Sequence, residues 1–179
     1  VRGRSSMASK LALWLWGPWS KLGLMVAAAS LVADQLNKWC LIFVYGISKG
    51  DRVALTPFLD LVYVINKGIS YGLFALSDPR GQLFLAIFAV FAALLLVIWL
   101  ARGATNWVMA VSIGLIIGGA IGNAIDRLHL GGVADFYSLH AFGYYWYVFN
   151  IADVAIVAGV IGLLYDCFWM SRKDAAKAP

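Results

Sequence analysis

Four long apolar segments dominate the pattern of hydrophobic and polar positions along the chain. They comprise residues 22–45, 81–101, 107–126 and 148–169. An α-helix needs about 20 residues to cross the apolar core of a bilayer, and each segment is about that long. The first is interrupted by Asp34 and Lys38, whereas the second contains no charged residue. The pattern therefore predicts an all-α membrane protein with four transmembrane helices.

Shorter apolar runs broken by turn residues separate the first two segments and predict a small sheet at about residues 51–74. The expected strands are Arg52–Leu55, Phe58–Ile65 and Tyr71–Phe74. The stretch between the third and fourth segments, residues 127–147, holds both histidines and the aromatic run Tyr144–Tyr147. We expect this stretch to form a loop or a short helix in the headgroup layer.

The two ends of the chain are expected to lie outside this membrane domain, which we assign to residues 22–170. Val1–Ser6 resembles residues added by cloning before Met7. Leu11–Trp19 is apolar but too short to span, and its tryptophans suit an interfacial segment. We therefore assign residues 1–21 to an N-terminal part and residues 171–179 to a cytoplasmic tail.

The distribution of Lys and Arg predicts the orientation of the spans. An even number of spans places both termini on one side of the membrane. Basic residues are slightly more numerous on that side, so the positive-inside rule places the termini in the cytoplasm. These residues are Lys10, Lys21, Arg102, Arg172, Lys173 and Lys177. The predicted sheet would then lie on the outer face of the membrane.

Composition excludes an ordinary soluble domain, because 63% of the residues are hydrophobic and only 13% are charged. The net charge of +5 comes from basic residues near span ends, so anionic lipid rather than nucleic acid is the expected partner. Cys40 and Cys167 fall near opposite ends of different spans, which argues against a disulfide or a shared metal. We expect no metal and no cofactor.

Polar residues that are rare in membranes converge on one layer near the predicted outer face. They are Asp34, Lys38, Asn123, Asp126, Asn150 and Asp153. A charged residue at the centre of a spanning helix costs about 2.5 to 3.5 kcal/mol, so these side chains should face one another. The i,i+4 spacing of Asp34 and Lys38 allows an ion pair that either anchors the helix by snorkelling or organises a site. Both interpretations stay open on spacing alone.

Small residues recur at every fourth position of the third segment, at Gly114, Gly118 and Gly122. Such a smooth stripe lets a second helix approach closely, and helix packing is the interpretation we favour. Close packing would also hold Asn123 and Asp126 next to the fourth span.

Two aspartates are the candidates for chemistry, Asp135 and Asp153. On spacing alone, Asp135 most resembles a solvated turn residue, because it follows Gly131 and Gly132. If the two carboxyls meet in a partly desolvated site, burial and repulsion raise the pKa of one of them. A pair with one proton can hydrolyse a peptide bond without a metal. The chain has neither the spacing of a zinc peptidase nor the Gly-x-Ser-x-Gly turn of a serine hydrolase.

Five motifs in order give the chain a resemblance to the bacterial lipoprotein signal peptidases, the signal peptidase II family. They are DQLNK at 34–38, NKGISYG at 66–72, GGAIGNAIDR at 118–127, VADF at 133–136 and FNIAD at 149–153. The resemblance covers about residues 22–170 and implies that Asp135 and Asp153 are a catalytic dyad. It further implies supporting or substrate-binding roles for other residues of these motifs. They are Asp34, Lys38, Asn66, Gly68, Asn123, Asp126, Arg127 and Asn150.

The resemblance also implies a substrate. It is the signal peptide of a diacylglyceryl-modified prolipoprotein, cut on the N-terminal side of the lipidated cysteine. We expect a monomer in contact with membrane lipids.

Two other classes of function stay open on the residues alone. One is a proton-coupled transport or channel subunit, since intramembrane charges also mark ion paths. The other is a non-catalytic protein that holds lipidated peptides.

Overall fold

The computed structural model describes residues 16–68 and 78–170 of the chain. Its helices are α1 (Ser20–Trp39), α2 (Pro79–Gly103), α3 (Trp107–Leu130) and α4 (Ile151–Tyr165). Its strands are β1 (Arg52–Thr56), β2 (Leu59–Asn66), β3 (Val133–Ala141) and β4 (Tyr144–Phe149). α1 and α4 continue into the π-helical segments Cys40–Val44 and Asp166–Met170. The expected strand Tyr71–Phe74, the tail and most of the N-terminal part lie outside the described residues.

Several helix ends are capped by residues of the local sequence. The Asp78 side chain accepts a hydrogen bond from the first turn of α2, and Pro79 occupies a first-turn position, where a missing N–H costs nothing. The Asn106 side chain accepts from the Met109 N–H at the start of α3. α3 ends at Gly131, whose φ of 68° is the left-handed conformation that glycine adopts readily.

Three of the described helices are long and apolar enough to cross a membrane, namely Pro79–Gly103, Trp107–Leu130 and Ile151–Phe168. Their burial differs: 67% of the apolar window of α3 is buried, against 22% for α2 and 17% for α4. α3 is therefore the central helix, and the others leave apolar faces for lipid. α1 is less apolar because Asp34 and Lys38 lie on it, although both are buried.

Glycines on α3 allow two helices to approach it closely, as the stripe predicted. A methyl group at Gly118 would overlap the carbonyl oxygen of Ala27 on α1. A methyl group at Gly119 would overlap the carbonyl oxygen of Ala152 on α4. α3 is therefore in backbone contact with α1 on one side and α4 on the other, which confirms that the stripe serves helix packing.

The four described strands form one antiparallel sheet in the order β1-β2-β3-β4. β3 follows directly after α3, and β4 leads directly into α4, so the sheet lies at the end of the helices where these two meet. Phe136 on β3 is fully buried and stacks on Tyr63 of β2 with ring centroids 5.2 Å apart. Phe136 packs in a small core with Leu61 and Ile47, and this core attaches the sheet to the segment after α1.

The expected loop or short helix between the third and fourth spans was wrong, because most of it forms β3 and β4. β3 is an inner strand of the sheet and begins with four consecutive buried residues, Val133–Phe136. A strand covered on both faces loses the alternation of apolar and polar positions that identifies a half-buried strand. The prediction therefore failed where the usual signal is absent.

A cluster of polar residues in the sheet links β2 to the β3–β4 hairpin. The buried Asp60 carboxylate forms an ion pair with Arg52, and its Oδ1 lies 3.1 Å from His140 Nε2. Burial raises the pKa of Asp60, but hydrogen bonds from Arg52 and His140 outweigh it, so this pKa lies below its ordinary value. The Arg52 guanidinium also lies 4.7 Å from the centre of the Tyr145 ring, which adds a cation–π contact to the hairpin.

Substituting Gly118→Ala should destabilise the protein by about 1 to 3 kcal/mol, because the added methyl group meets a backbone oxygen that cannot move without shifting α1. Thermal unfolding of the purified protein in detergent measures this change. The control Ala29→Val adds bulk to an exposed position of α1 and should leave the melting temperature within about 2 °C of wild type. Equal melting temperatures for Gly118→Ala and wild type would contradict the close-packing interpretation.

Candidate active site

Asp135 lies on β3 and is 1% exposed, so it is not the solvated turn residue that its spacing suggested. Its Oδ1 accepts a hydrogen bond from Asn150 Nδ2 at 2.6 Å, and its Oδ2 accepts one from Asn66 Nδ2 at 3.1 Å. Asn66 ends the neighbouring strand β2, and Asn150 directly precedes α4. The sheet and the fourth helix thus each supply one amide to this carboxyl.

Asp153 lies in the first turn of α4 and forms a capping box with Asn150. Asn150 Oδ1 accepts from the Asp153 N–H at 2.9 Å, and Asp153 Oδ2 accepts from the Asn150 N–H at 3.2 Å. The other carboxylate oxygen, Oδ1, accepts from Asn123 Nδ2 at 2.9 Å. Asn150 therefore contacts both Asp135 and Asp153, and the same side chain begins the helix.

Arg127 on α3 borders the same site. Its Nη1 donates to the carbonyl oxygen of Asn123 at 3.2 Å, and its Nη2 donates to that of Gly68 at 3.4 Å. The Gly68 N–H in turn donates to Asn66 Oδ1 at 3.0 Å, which orients the amide that reaches Asp135. Arg127 also interacts electrostatically with both Asp135 and Asp153.

A separate buried cluster of charged and polar groups lies behind these residues. Lys38 Nζ forms ion pairs with Asp34 Oδ2 at 2.8 Å and with Asp126 Oδ2 at 2.6 Å. Gln35 Nε2 lies 3.1 Å from both carboxylates. Lys38 is only 4% exposed, so it does not snorkel toward water, and the site-organising interpretation of the pair fits its surroundings.

A cavity of about 630 Å³ opens beside Asp153. Most of its wall is apolar and comes from α2, α3 and α4, at Leu85, Phe88, Ala89, Ala92, Ile116, Ala120, Ile156 and Val157. Its polar lining is concentrated in Asn66, Asn123, Arg127 and Asp153. The cavity can hold an apolar chain and present a polar bond of that chain to Asp153.

The environment of Asp135 favours its protonated form. Burial raises its pKa most strongly and the charge of Asp153 raises it further, to about 7, although hydrogen bonds from Asn66 and Asn150 act in the opposite direction. Near neutral pH this carboxyl can therefore hold or release a proton. Two neighbouring carboxyls that share a proton can act as a general acid and a general base.

The structure brings the residues proposed from sequence into two adjoining groups. One contains Asn66, Gly68, Asn123, Arg127, Asp135, Asn150 and Asp153; the other contains Asp34, Lys38 and Asp126. Sequence reasoning missed Gln35, which contacts both acids of the second group. A signal was present, because an amide side chain inside a spanning helix also needs a polar partner.

The sequence model of the family described as signal peptidase (SPase) II matches residues 26–169. The lipoprotein signal peptidase of Nitrobacter hamburgensis is 52% identical over 161 residues, which is 88% of this chain and 96% of that protein. The lipoprotein signal peptidase of Methylocella silvestris is 50% identical over 84% of this chain and 88% of that protein.

A solved structure described as a bacterial membrane enzyme has a similar fold. It superposes with a TM-score of 0.71 at 30% sequence identity and covers 83% of this chain and 90% of that chain.

The contribution of Asp135 to the stability of the protein should fall as the pH rises from about 4 to about 7. The Asp135 carboxyl has a pKa of about 7 in the folded protein and an ordinary value of 3.8 in the unfolded chain, so it binds its proton more tightly when the protein is folded. The resulting stability is fully present below about pH 4 and is lost as the pH rises through about 7, by a few kcal/mol at most. Thermal unfolding across this range measures it.

Asp135→Asn should flatten this pH dependence, whereas the control Asp51→Asn, at an exposed position, should leave it unchanged. Identical pH dependence in Asp135→Asn and wild type would show that Asp135 does not titrate in this window.

Proposed function

This chain belongs to the signal peptidase II family, and we propose that it removes the signal peptides of prolipoproteins as a membrane-embedded aspartic endopeptidase. The substrate we propose is a prolipoprotein whose cysteine carries a diacylglyceryl group, with cleavage on the N-terminal side of that cysteine. One observation carries the assignment of the site: Asn150 contacts Asp135 and Asp153, and Asp153 lines an apolar cavity.

Asp135 and Asp153 act as a dyad that holds one proton. The ionised carboxylate accepts a proton from a water molecule as the water oxygen attacks the scissile carbonyl carbon. The protonated carboxyl donates a hydrogen bond to the carbonyl oxygen and stabilises its developing charge. The dyad then protonates the amide nitrogen, the carbon–nitrogen bond breaks, and the dyad again holds one proton.

The surrounding amides orient the dyad. Asn66 and Asn150 each donate one hydrogen bond to Asp135, while Asn123 and the Asn150 N–H each donate one to Asp153. Each carboxylate oxygen keeps a further lone pair for water or substrate. We assign these asparagines, with Gly68 and Arg127, to supporting roles.

The cavity suits a signal peptide. A signal peptide contains an apolar stretch, and the wall formed by α2, α3 and α4 is apolar along most of its length. Asp153, Asn123 and Arg127 contribute to its polar lining, and we expect the cleavage site of the signal peptide to lie against them. An apolar substrate segment could reach the cavity from lipid, because α2 and α4 expose most of their surfaces.

The membrane topology we propose has four spans, with α1 as the first. α1 has 20 residues and is therefore about 30 Å long, the thickness of the apolar layer. Its polar residues point into the protein, since Asp34 is fully buried and Lys38 is 4% exposed. Both termini then lie in the cytoplasm, and the dyad and the sheet lie at the periplasmic face of a bacterial inner membrane.

Asp135→Asn and Asp153→Asn should each lower cleavage of a diacylated prolipoprotein by at least about 100-fold, because each removes one member of the proton-transferring pair. Purified variants in detergent or lipid should be compared with wild type by the rate of product formation. The control Asp166→Asn changes a carboxylate at the opposite end of α4 and should retain activity.

The same assay should include the unlipidated form of the prolipoprotein. Cleavage of the lipidated form alone supports the proposed substrate. Unchanged cleavage by Asp135→Asn or Asp153→Asn would refute the dyad, and equal cleavage of the two substrates would refute the requirement for lipid.

Reporter fusions should confirm the proposed orientation. A fluorescent protein that folds only in the cytoplasm should be active when fused after Pro179, and alkaline phosphatase should be inactive there. Phosphatase fused after Gly50, which follows α1, should be active, because that position faces the periplasm. The reverse pattern of activities would place the dyad on the cytoplasmic side and overturn the topology.

A further inference from the structure

The backbone immediately before each dyad aspartate is held by a second aspartate. The Ala152 N–H, one residue before Asp153, donates to Asp34 Oδ1 at 2.9 Å. The Ala134 N–H, one residue before Asp135, donates to Asp126 Oδ2 at 3.1 Å. Ala134 and Ala152 are both fully buried, so these N–H groups have no access to water. The same type of contact is therefore made twice, once on α4 and once on β3.

The two holding aspartates are themselves connected. Lys38 Nζ lies 2.8 Å from Asp34 Oδ2 and 2.6 Å from Asp126 Oδ2. Gln35 Nε2 lies within 3.1 Å of each carboxylate and 3.3 Å from the carbonyl oxygen of Gly122 on α3. We call Asp34, Gln35, Lys38 and Asp126 the polar bracket. It joins α1 and α3 to the starts of the two backbone segments that carry the dyad.

The charged members of the polar bracket are buried and do not line the cavity beside Asp153. Asp34 is fully buried, Asp126 is 3% exposed and Lys38 is 4% exposed. None of its members is among the residues that line the described cavity beside Asp153. Its effect on the reaction must therefore pass through the protein rather than through contact with substrate.

Resting on the proposed function, we propose that the polar bracket is a positioning device that sets the separation of Asp135 and Asp153 by holding the N–H groups of Ala134 and Ala152. A buried ion pair is a weak source of stability compared with apolar packing, because both charges are desolvated. It does define a geometry, because each carboxylate oxygen has a specific donor. Without Lys38, the carboxylates of Asp34 and Asp126 would repel each other, and the two backbone segments they hold would move with them.

Paired substitutions at Asp34 separate positioning from folding. Asp34→Leu removes the acceptor for the Ala152 N–H, whereas Asp34→Asn keeps a carbonyl oxygen there. We expect kcat for the diacylated prolipoprotein to fall about 100-fold in Asp34→Leu and about 10-fold in Asp34→Asn, with KM within about two-fold of wild type. The rates are divided by the amount of folded protein, which is measured by size-exclusion chromatography. Equal kcat in the two variants, or a change confined to KM, would overturn the proposal.

Gln35→Met provides a variant that leaves every charge in place, should Asp34→Leu fail to fold. We expect kcat to fall about 10-fold with unchanged KM, while the control Leu36→Met, an exposed neighbour on α1, keeps wild-type kcat. Wild-type kcat in folded Gln35→Met would overturn a role for Gln35 in positioning.

Amide hydrogen exchange tests the polar bracket independently of activity. The N–H groups of Ala134 and Ala152 should exchange at least about 10-fold faster in Gln35→Met than in Leu36→Met, because their acceptors are less firmly held. Failure of the wild-type protein to cleave prolipoprotein would refute the proposed function but leave this measurement valid. Unchanged exchange at both alanines would refute the polar bracket and leave the peptidase assignment intact.

Discussion

The properties of the site depend on which groups contact each buried carboxylate, a cation or neutral hydrogen-bond donors. Asp34 and Asp126 are paired with the cation of Lys38, whereas the described hydrogen bonds to Asp135 and Asp153 come from uncharged amides and a backbone N–H. A nearby cation stabilises an ionised carboxylate more strongly than neutral donors do, especially where water is scarce. The arrangement thus separates two carboxylates paired with a cation from Asp135, which receives hydrogen bonds from neutral amides and whose pKa is raised.

The position of this site at one end of the bundle follows from the packing of α3. Its glycines bring α1 and α4 into backbone contact, so the polar residues of three helices meet without a gap that lipid could fill. A looser interface would move carboxylate and donor apart, and a shift of about 1 Å can cost about 100-fold in rate. Helix packing therefore helps to position the proposed active site, because the glycines of α3 have no side chains that would hold α1 and α4 apart.

The helices and the first hairpin could be predicted from sequence because their signals are local. Apolar segments of spanning length appeared as α2, α3 and α4, and the expected strands Arg52–Leu55 and Phe58–Ile65 appeared as β1 and β2. β3 could not be predicted, since its burial on both faces depends on its neighbours in the sheet. β4 was missed because its aromatic run was attributed to the headgroup layer. Likewise, spacing alone left Asp135 as a turn residue, and only the resemblance to a family placed it in the site. The donor to each carboxylate is a tertiary property, which is why Gln35 was missed.

Asn150 shows why an amide is required at the start of α4. A helix of this kind can be capped by Ser, Thr, Asp or Asn, because each supplies an oxygen for a first-turn N–H. Here the oxygen accepts from the Asp153 N–H, while the Nδ2 group donates to Asp135 and to Asn123 Oδ1. An Asp at this position could cap the helix but would add a third carboxyl group beside Asp135 and Asp153 and would donate no hydrogen bond when ionised. A Ser or Thr hydroxyl has one proton to donate. Its side chain is too short to cap the helix and to reach Asp135 at the same time. Among these capping residues, only Asn can both cap the helix and donate a hydrogen bond to the buried carboxyl of Asp135. The same side chain therefore determines where α4 begins and how the two carboxyls of the proposed dyad are held.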